Sequence, residues 1–311
     1  MPNVNDLHVD AVLTRYSQQY SNEEFIANSV LPWLQVNKRS NVWFEYDKDE
    51  RFTPIDDTAA PRAKGNEVDF NVTTTNYSVK DKSLEDFVDQ AEKDNADPPL
   101  DPRRDATDFL MELLMLKREQ RVSGIIFDTA SYPASQVTTP GTKWTDKTNS
   151  DPLADMLIAI DSVFTLPNIA VFGKSAWRVV RQHPKILDAI KGATRSQSAG
   201  GGVVSREQMA TLLEVETVLV GRAKFNTAAR GIAPAVFADL WGDSVAFLKV
   251  LSSPSPRTVT FGCSLTETMP MTRAWPDMSR GPKGGEMIKS LYNVDERLKA
   301  SDLGALINDV I

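Results

Sequence analysis

The chain has 311 residues, which is enough for a sizeable core and one or two domains. Its net charge of -7 and its pI near 5.1 argue against a dedicated nucleic-acid binder, because such a protein carries a basic footprint. A single cysteine, Cys263, excludes an internal disulfide framework and suits a reducing cytoplasm, and its strand-like surroundings favour a small core residue over a reactive thiol. The polar N-terminal residues predict no signal peptide, and no apolar run reaches the ~20 residues that cross a bilayer.

The first part of the chain predicts an arm followed by a hairpin. We predict an N-terminal arm over 1–40, with short helical patterns in residues 1–35. Within 41–82, residues 42–46 are strand-like and 67–79 alternate as a returning strand, which predicts a long two-stranded hairpin. A lone hairpin is marginal in water, so this one requires a surface on another molecule. We predict that its aromatic and basic residues contact that molecule: Trp43, Phe44, Tyr46, Arg51, Phe52, Arg62 and Lys64.

An acidic segment, 83–95, follows the hairpin. Glu85, Asp89 and Glu92 have a spacing that puts all three on one face if the segment is helical. Such a face could hold a hard cation, but a solvated face or ion pairs with basic residues of a neighbouring subunit are favoured. We predict pairing with the basic residues of the hairpin for three acids: Glu85, Asp86 and Asp89.

A long helix is predicted over about 101–127. Asp101 is a favourable N-cap and Pro102 suits the first turn, while acids lie early and bases late along the segment. Apolar residues at helical spacing predict one buried face: Phe109, Leu110, Leu113, Leu114 and Leu116. We call this element the spine helix.

From Asp151 the pattern changes to alternating helices and strands. Helices are predicted over 153–163, 176–180, 185–191 and 207–213, and strands over 169–172, 215–220, 235–238 and 244–251. A flexible loop is predicted at 196–202. The run Ser252-Ser253-Pro254-Ser255-Pro256 indicates a boundary, and the remainder is rich in strand patterns.

A partial phosphate-loop pattern occurs at Gly173-Lys174-Ser175, after a strand and before a helix. The full motif needs glycine at position 168, which is Asn168, so Ser175 is better explained as a helix N-cap. The glycine run 200–202 lacks the strand and helix of a dinucleotide site.

The two histidines, His8 and His183, form no metal or nucleophile motif with Cys263 and are predicted to be surface or capping residues. An enzyme therefore has no catalytic constellation here. We predict no catalytic residue, cofactor or metal.

The order of elements resembles the major capsid proteins of tailed bacteriophages, which have the Hong Kong 97-type fold. Five stretches in the same order carry the resemblance: 20–27 with 30–32, 95–97 with 99–102, 150–152, 218–221 with 226–228, and 304–310.

The resemblance implies an α+β, Hong Kong 97-like capsid fold. The N-terminal arm would be 1–40 and the extended loop 41–82. The peripheral domain would be 83–150 and 255–311, and the axial domain 151–254. Pentamers and hexamers would tile an icosahedral shell that encloses double-stranded DNA without sequence-specific binding. The shell would form in the bacterial host cytoplasm, with the hairpin lying over a neighbouring subunit and 196–202 near the capsomer centre.

The short stretch before the hairpin leads us to expect a separate scaffolding protein, together with a portal and, in some shells, a cement protein. Lys64 is expected to be solvated and not cross-linked. The leading alternative is an encapsulin-like compartment, which uses the same fold around protein cargo. A tail-tube or decoration protein is disfavoured by the long spine helix, and an enzyme by the missing site.

Overall fold

The computed structural model describes residues 10–19, 22–46, 54, 58, 72–97, 100–194, 202–228, 234–254 and 259–311. The predicted contact residues Arg51, Phe52, Arg62 and Lys64 lie outside these ranges, as do His8 and 196–201. Trp43, Phe44 and Tyr46 lie on a strand whose backbone is described.

Helices and strands both occur throughout the described residues. The helices of the described residues are α1 (Ala11–Gln19), α2 (Ala27–Val30), α3 (Gln90–Asn95), α4 (Pro102–Ile126), α5 (Pro152–Asp161), α6 (Lys174–Val180), α7 (Pro184–Thr194) and α8 (Arg206–Leu212). The strands are β1 (Trp33–Gln35), β2 (Ser40–Tyr46), β3 (Val72–Ser78), β4 (Lys80–Asp89), β5 (Val137–Thr138), β6 (Ile169–Gly173), β7 (Thr217–Gly221), β8 (Lys224–Asn226), β9 (Phe237–Asp239), β10 (Val245–Leu248), β11 (Gly262–Thr266), β12 (Met271–Asp277), β13 (Gly285–Leu298) and β14 (Gly304–Ile307). Among these residues no helix is long and apolar enough to span a bilayer.

The spine helix is confirmed as α4. Asp101 caps it, since its carboxylate accepts a hydrogen bond from the backbone N–H of Arg103 at 3.1 Å. Its 25 residues extend over roughly 37 Å at 1.5 Å per residue, so the helix reaches both sheets of the molecule. Leu110 and Leu114 are buried as predicted, but Phe109 is 48% exposed and Met111 is buried instead.

The hairpin prediction is confirmed for the described part. β2 pairs with β3 in antiparallel register, from Ser40 opposite Ser78 to Tyr46 opposite Val72.

The first sheet has the order β1-β11-β13-β12, and β4 also pairs with β13. The N-terminal half of α4 packs against it, with Leu110 close to Val88 and Ile288 and with Leu114 close to Tyr292. The helical face predicted for Glu85, Asp89 and Glu92 is wrong, because β4 pairs with β13 over ten positions and only Glu92 lies on a helix. Sheet pairing overrides the local helical preference of this acidic segment.

The second sheet has the order β5-β14-β10-β6-β7 and separates two layers of helix. Side chains alternate between its faces. Phe172 and Phe247 face α5, α6, α7 and α8, whereas Val171 and Leu248 face the C-terminal half of α4.

Two strands from the segments predicted as the peripheral domain pair within the second sheet. β14 lies within 255–311 and β5 within 83–150, both assigned to the peripheral domain, yet both strands belong to the second sheet. The end of the chain therefore completes the sheet of the segment 151–254.

Candidate functional site

A buried carboxylate joins three parts of the molecule. Glu119 on α4 is 1% exposed and accepts three hydrogen bonds. One oxygen accepts from the backbone N–H of Ile26 at 2.9 Å and from Nε1 of Trp241 at 2.7 Å, and the other accepts from the N–H of Ala27 at 2.8 Å. Burial raises the pKa of the Glu119 carboxyl, and the three donors oppose that rise. This arrangement fastens the N-terminal segment and the Trp241 loop to the spine helix.

The preceding residue, Arg118, makes a second buried connection. Its Nη2 donates to the carbonyl of Leu31 at 2.9 Å and to Oγ of Ser264 at 3.2 Å, and its guanidinium stacks 3.9 Å from the ring centroid of Trp33. Burial lowers the pKa of Arg118 to about 10, which leaves it charged at neutral pH. Consecutive helical residues project about 100° apart, so Arg118 and Glu119 reach different layers.

We call Arg118, Glu119 and Trp241 the polar hub. Sequence reasoning missed all three residues. The available signal was an adjacent pair of opposite charges within the predicted spine helix, which on its own is more typical of an exposed helix face.

Ion pairs at the first sheet fix the base of the β2–β3 hairpin. Arg39 contacts Asp81 at 2.7 Å and Glu267 at 2.9 Å. Tyr77 donates its hydroxyl hydrogen to the carbonyl of Lys38 at 3.0 Å. The pairs of Arg39 are exposed and therefore add little to stability, but they connect the residue before β2 to β4 and to the end of β11.

The predicted acidic contact residues have partners within the chain. Glu85 pairs with Lys289 at 2.6 Å, and Asp89 caps α3 by accepting from the N–H of Ala91 at 2.9 Å. Asp86 accepts a hydrogen bond from the N–H of Phe87 at 3.0 Å. Pairing of these acids with the hairpin of another subunit remains a prediction.

An exposed apolar groove lies between β4, α3 and the start of α4. Its volume is about 510 Å³, and Leu100 and Phe109 on its wall are 66% and 48% exposed. Its acidic lining residues are Asp86, Glu92 and Asp105. Because these carboxylates border its apolar surface, we call this feature the acidic groove.

The partial phosphate-loop pattern is part of the second sheet. Gly173, and not Ser175, caps α6, so the predicted N-cap is wrong by two positions. Lys174 pairs with Asp239 at 3.2 Å.

His183, predicted to be a surface or capping residue, is fully buried, so the surface position is wrong, but it directly precedes α7 and its carbonyl accepts a hydrogen bond from the N–H of Leu187 at 3.0 Å. Its Nε2 lies 3.1 Å from Oγ of Ser150, whose hydroxyl also donates to the carbonyl of Asp146 at 2.5 Å. Burial, and secondarily the charge of Lys185, lowers the pKa of His183, while Asp151 opposes that shift. His183 is therefore a neutral core residue.

We expect the stability of the subunit to fall in mild acid because of His183. Its folded-state pKa lies below the ordinary value of about 6.5, so the unfolded chain takes up the proton first. The stability is thus fully present above the unfolded pKa and is lost as the pH falls below it. Urea unfolding across this range should show a shallower fall for His183→Gln than for the natural chain.

The matched control is His8→Gln, since the chain has two histidines. Equal slopes for His183→Gln and the natural chain would contradict the assignment.

The architecture is similar to those of a solved phage-related protein and of solved phage capsids. A phage-related protein from Bordetella bronchiseptica superposes with a TM-score of 0.75 at 21% identity, covering 98% of both chains. The capsid of the cyanophage P-SCSP1u superposes with a TM-score of 0.56 at 9% identity, covering 89% of this chain and 85% of that chain. The fold is therefore the α+β, Hong Kong 97-like capsid fold, as predicted.

Sequence comparison gives the family. The major capsid protein of Pseudomonas phage JBD67 is 32% identical over 306 residues, covering 97% of each chain. The major capsid protein of Burkholderia phage BcepMu is 25% identical over 248 residues, covering 78% of this chain and 76% of the relative. No family model matches the sequence. The chain belongs to the phage major capsid proteins, a structural class of the virion capsid, and the encapsulin alternative is less well supported.

Proposed function

We propose that copies of this chain form pentamers and hexamers that tile an icosahedral shell around packaged double-stranded DNA. The observation that carries the proposal is the 32% identity to a phage major capsid protein over nearly the whole chain. The net charge of -7 supports an enclosing role without sequence-specific binding, since an acidic chain repels the DNA backbone. Assembly would take place in the bacterial host cytoplasm.

Electron microscopy tests the proposal directly. The chain would be expressed alone and then with its neighbouring phage genes, and particles would be imaged in negative stain. We expect closed icosahedral particles, and nuclease-protected DNA in particles made during infection. A small oligomer that persists with all head genes present would contradict the proposal.

Within the shell we propose the domain division of the family, in which β5 and β14 of the peripheral segments pair within the second sheet. The N-terminal arm is 1–40, the extended loop 41–82, the peripheral domain 83–150 with 255–311, and the axial domain 151–254. A scaffolding protein, a portal and, in some shells, a cement protein are the further partners that the family resemblance suggests.

We propose that the hairpin of one subunit lies on a neighbour, as the extended loop does in this fold. The acidic groove is a suitable receiving surface because Leu100 and Phe109 are exposed beside acidic side chains. The aromatic candidates would supply apolar contact area, and Arg51, Arg62 and Lys64 would pair with acids along the groove. Each exposed pair is weak, but a closed shell repeats it many times.

Replacing both Trp43 and Phe44 with alanine should leave a soluble, folded subunit that assembles poorly. The physical reason is that the change removes aromatic side chains from a strand that pairs with β3 and contains none of the polar-hub residues. We expect particle yield to fall by about tenfold or more, measured by sedimentation and microscopy.

The control for this variant is Thr74→Ala, an exposed position paired with Phe44 on the same hairpin. Unchanged particle yield from the double variant would exclude a role of these aromatics in assembly.

A further inference from the structure

The outward side of α5 carries an apolar surface with one acid. Met156, Ala159 and Ile160 face the core, while Leu157 and Ile158 point outward. Leu157 is 42% and Ile158 61% exposed, and Asp161 continues the same side one turn later. Leu166, in the segment that leads to β6, is 55% exposed. We call Leu157, Ile158, Asp161 and Leu166 the helix patch.

The β8–β9 hairpin carries an apolar surface with one base. Asn226 lies opposite Phe237 and Lys224 opposite Asp239, so Lys224 and Phe237 share one side of the hairpin. Phe237 is 66% exposed, Val236 is 55% exposed, and Lys224 is also exposed. Asp239 on this side is paired with Lys174 at 3.2 Å, whereas Lys224 and the preceding exposed residue Arg222 supply positive charge at this hairpin. We call Lys224, Val236 and Phe237 the hairpin patch.

The two patches lie at diagonally opposite corners of the second sheet. α5 packs on β14, and Leu166 lies just before β6 begins. The β8–β9 hairpin follows the end of β7, which is parallel to β6 and ends beside it, with Gly221 opposite Gly173. β14 and β7 are separated by β10 and β6, a distance of roughly 14 Å across the sheet, and the strand length adds to it. The two patches of one subunit therefore cannot contact each other.

We propose that the helix patch of one subunit contacts the hairpin patch of the next subunit around a capsomer. This inference rests on the proposed function, since it names the surfaces through which capsomers form. Contact between two different surfaces at opposite corners is a head-to-tail contact. Such contacts form a closed ring when the rotation from each subunit to the next completes a full circle. The charges select this pairing: Asp161 meets Lys224, whereas a helix patch against its own copy would bring two Asp161 carboxylates together.

Cysteine cross-linking tests the contact in assembled particles. Cys263 is fully buried, and burial raises its pKa to about 12, so the natural chain is an unreactive background. Ile158→Cys with Phe237→Cys in one chain, treated with a flexible bis-maleimide, should give a ladder up to hexamers on denaturing gels. Each single-cysteine variant, treated in the same way, should run as a monomer on these denaturing gels. A double variant without a ladder, or a single variant that forms dimers, would overturn the proposal.

Charge reversal gives a second measurement that does not depend on cysteine. Asp161→Lys and Lys224→Glu should each lower particle yield by about tenfold, and the two together should restore it to within about twofold. Lys147→Glu, an exposed lysine outside both patches, serves as the control. Absence of rescue in the double variant would overturn the pairing. If the natural chain formed no particles with all head genes present, the proposed function itself would fail, which is a distinguishable result.

Discussion

Replacing Glu119 with alanine should destabilise the subunit by about 3–5 kcal/mol, the cost of removing one partner from a buried charged network. The variant leaves the N–H groups of Ile26 and Ala27 and Nε1 of Trp241 without their acceptor in the core. Each buried donor without a partner costs about 1–3 kcal/mol. Because domains are stable by only about 5–15 kcal/mol, a loss of this size removes much of the total.

Urea unfolding of the purified subunit, followed by tryptophan fluorescence, measures the effect. Glu112→Ala is the matched control, since Glu112 lies on the exposed side of the same helix and should change stability by less than about 0.5 kcal/mol. The stability of Glu119→Gln should lie between those of Glu119→Ala and Glu112→Ala. The glutamine amide keeps the shape of the side chain, but its N–H₂ group points at a group that is itself a hydrogen-bond donor. Equal stability of Glu119→Ala and Glu112→Ala would show that the polar hub does not hold the molecule together.

The elements with strong local signals were predicted well from the sequence. Asp101 and Pro102 mark the start of α4, and the structure begins that helix at Pro102. The buried strand at Ile169–Gly173 and the helix after Asp151 also occur where the apolar pattern puts them. In each case the signal lies within a few residues, in a cap or in the period of the apolar residues.

The wrong prediction for the acidic segment has a physical cause, which is pairing between distant segments. Whether Lys80–Asp89 is helix or strand depends on β13, about 200 residues later, and no local pattern contains that information. Likewise, β14 belongs to the second sheet because Gly304–Ile307 pairs with Val245–Leu248. The family resemblance predicted the capsid fold and the role of the chain, whereas the polar hub is apparent only from the three-dimensional packing around α4.

The candidate contact surfaces also differ in whether the local sequence indicates them. Aromatic residues on the predicted hairpin were found from sequence, since such side chains on a lone hairpin require a partner. The helix patch was not found, because Leu157 and Ile158 occur in a helix whose other apolar residues do form core. Only the burial of Met156 and Ile160 shows which side of α5 is left exposed.

Replacing Gly173 with alanine should destabilise the subunit by about 3 kcal/mol or more, at or above the upper end of typical overpacking. A Cβ atom there would collide with the carbonyl oxygen of Gly242 and lie 2.7 Å from its carbonyl carbon. Those atoms are backbone and cannot rotate away. Gly173 also donates its N–H to the carbonyl of Ser244 at 3.1 Å, so the strand is held against this neighbour.

Gly242→Ala is the matched control, because a Cβ on that side of the same contact meets nothing within 4 Å. Gly124→Ala, in the spine helix, also meets nothing within that distance and should stabilise the subunit by up to about 1 kcal/mol. The changes in unfolding temperature of the three variants should therefore differ in sign as well as in size. If Gly173→Ala unfolded at the same temperature as Gly242→Ala, the close approach of Gly173 to Gly242 would not be required for stability.

The same argument connects the second sheet to the polar hub. A Cβ atom at Gly221 would overlap the side chain of Trp241, so the glycine leaves the space that the indole occupies. With the ring in that position, Nε1 reaches Glu119 at 2.7 Å. We therefore expect Gly221→Ala to reproduce part of the loss caused by Glu119→Ala. In a double-mutant cycle the two changes should then be less than additive, because each disrupts the contact between Trp241 and the spine helix.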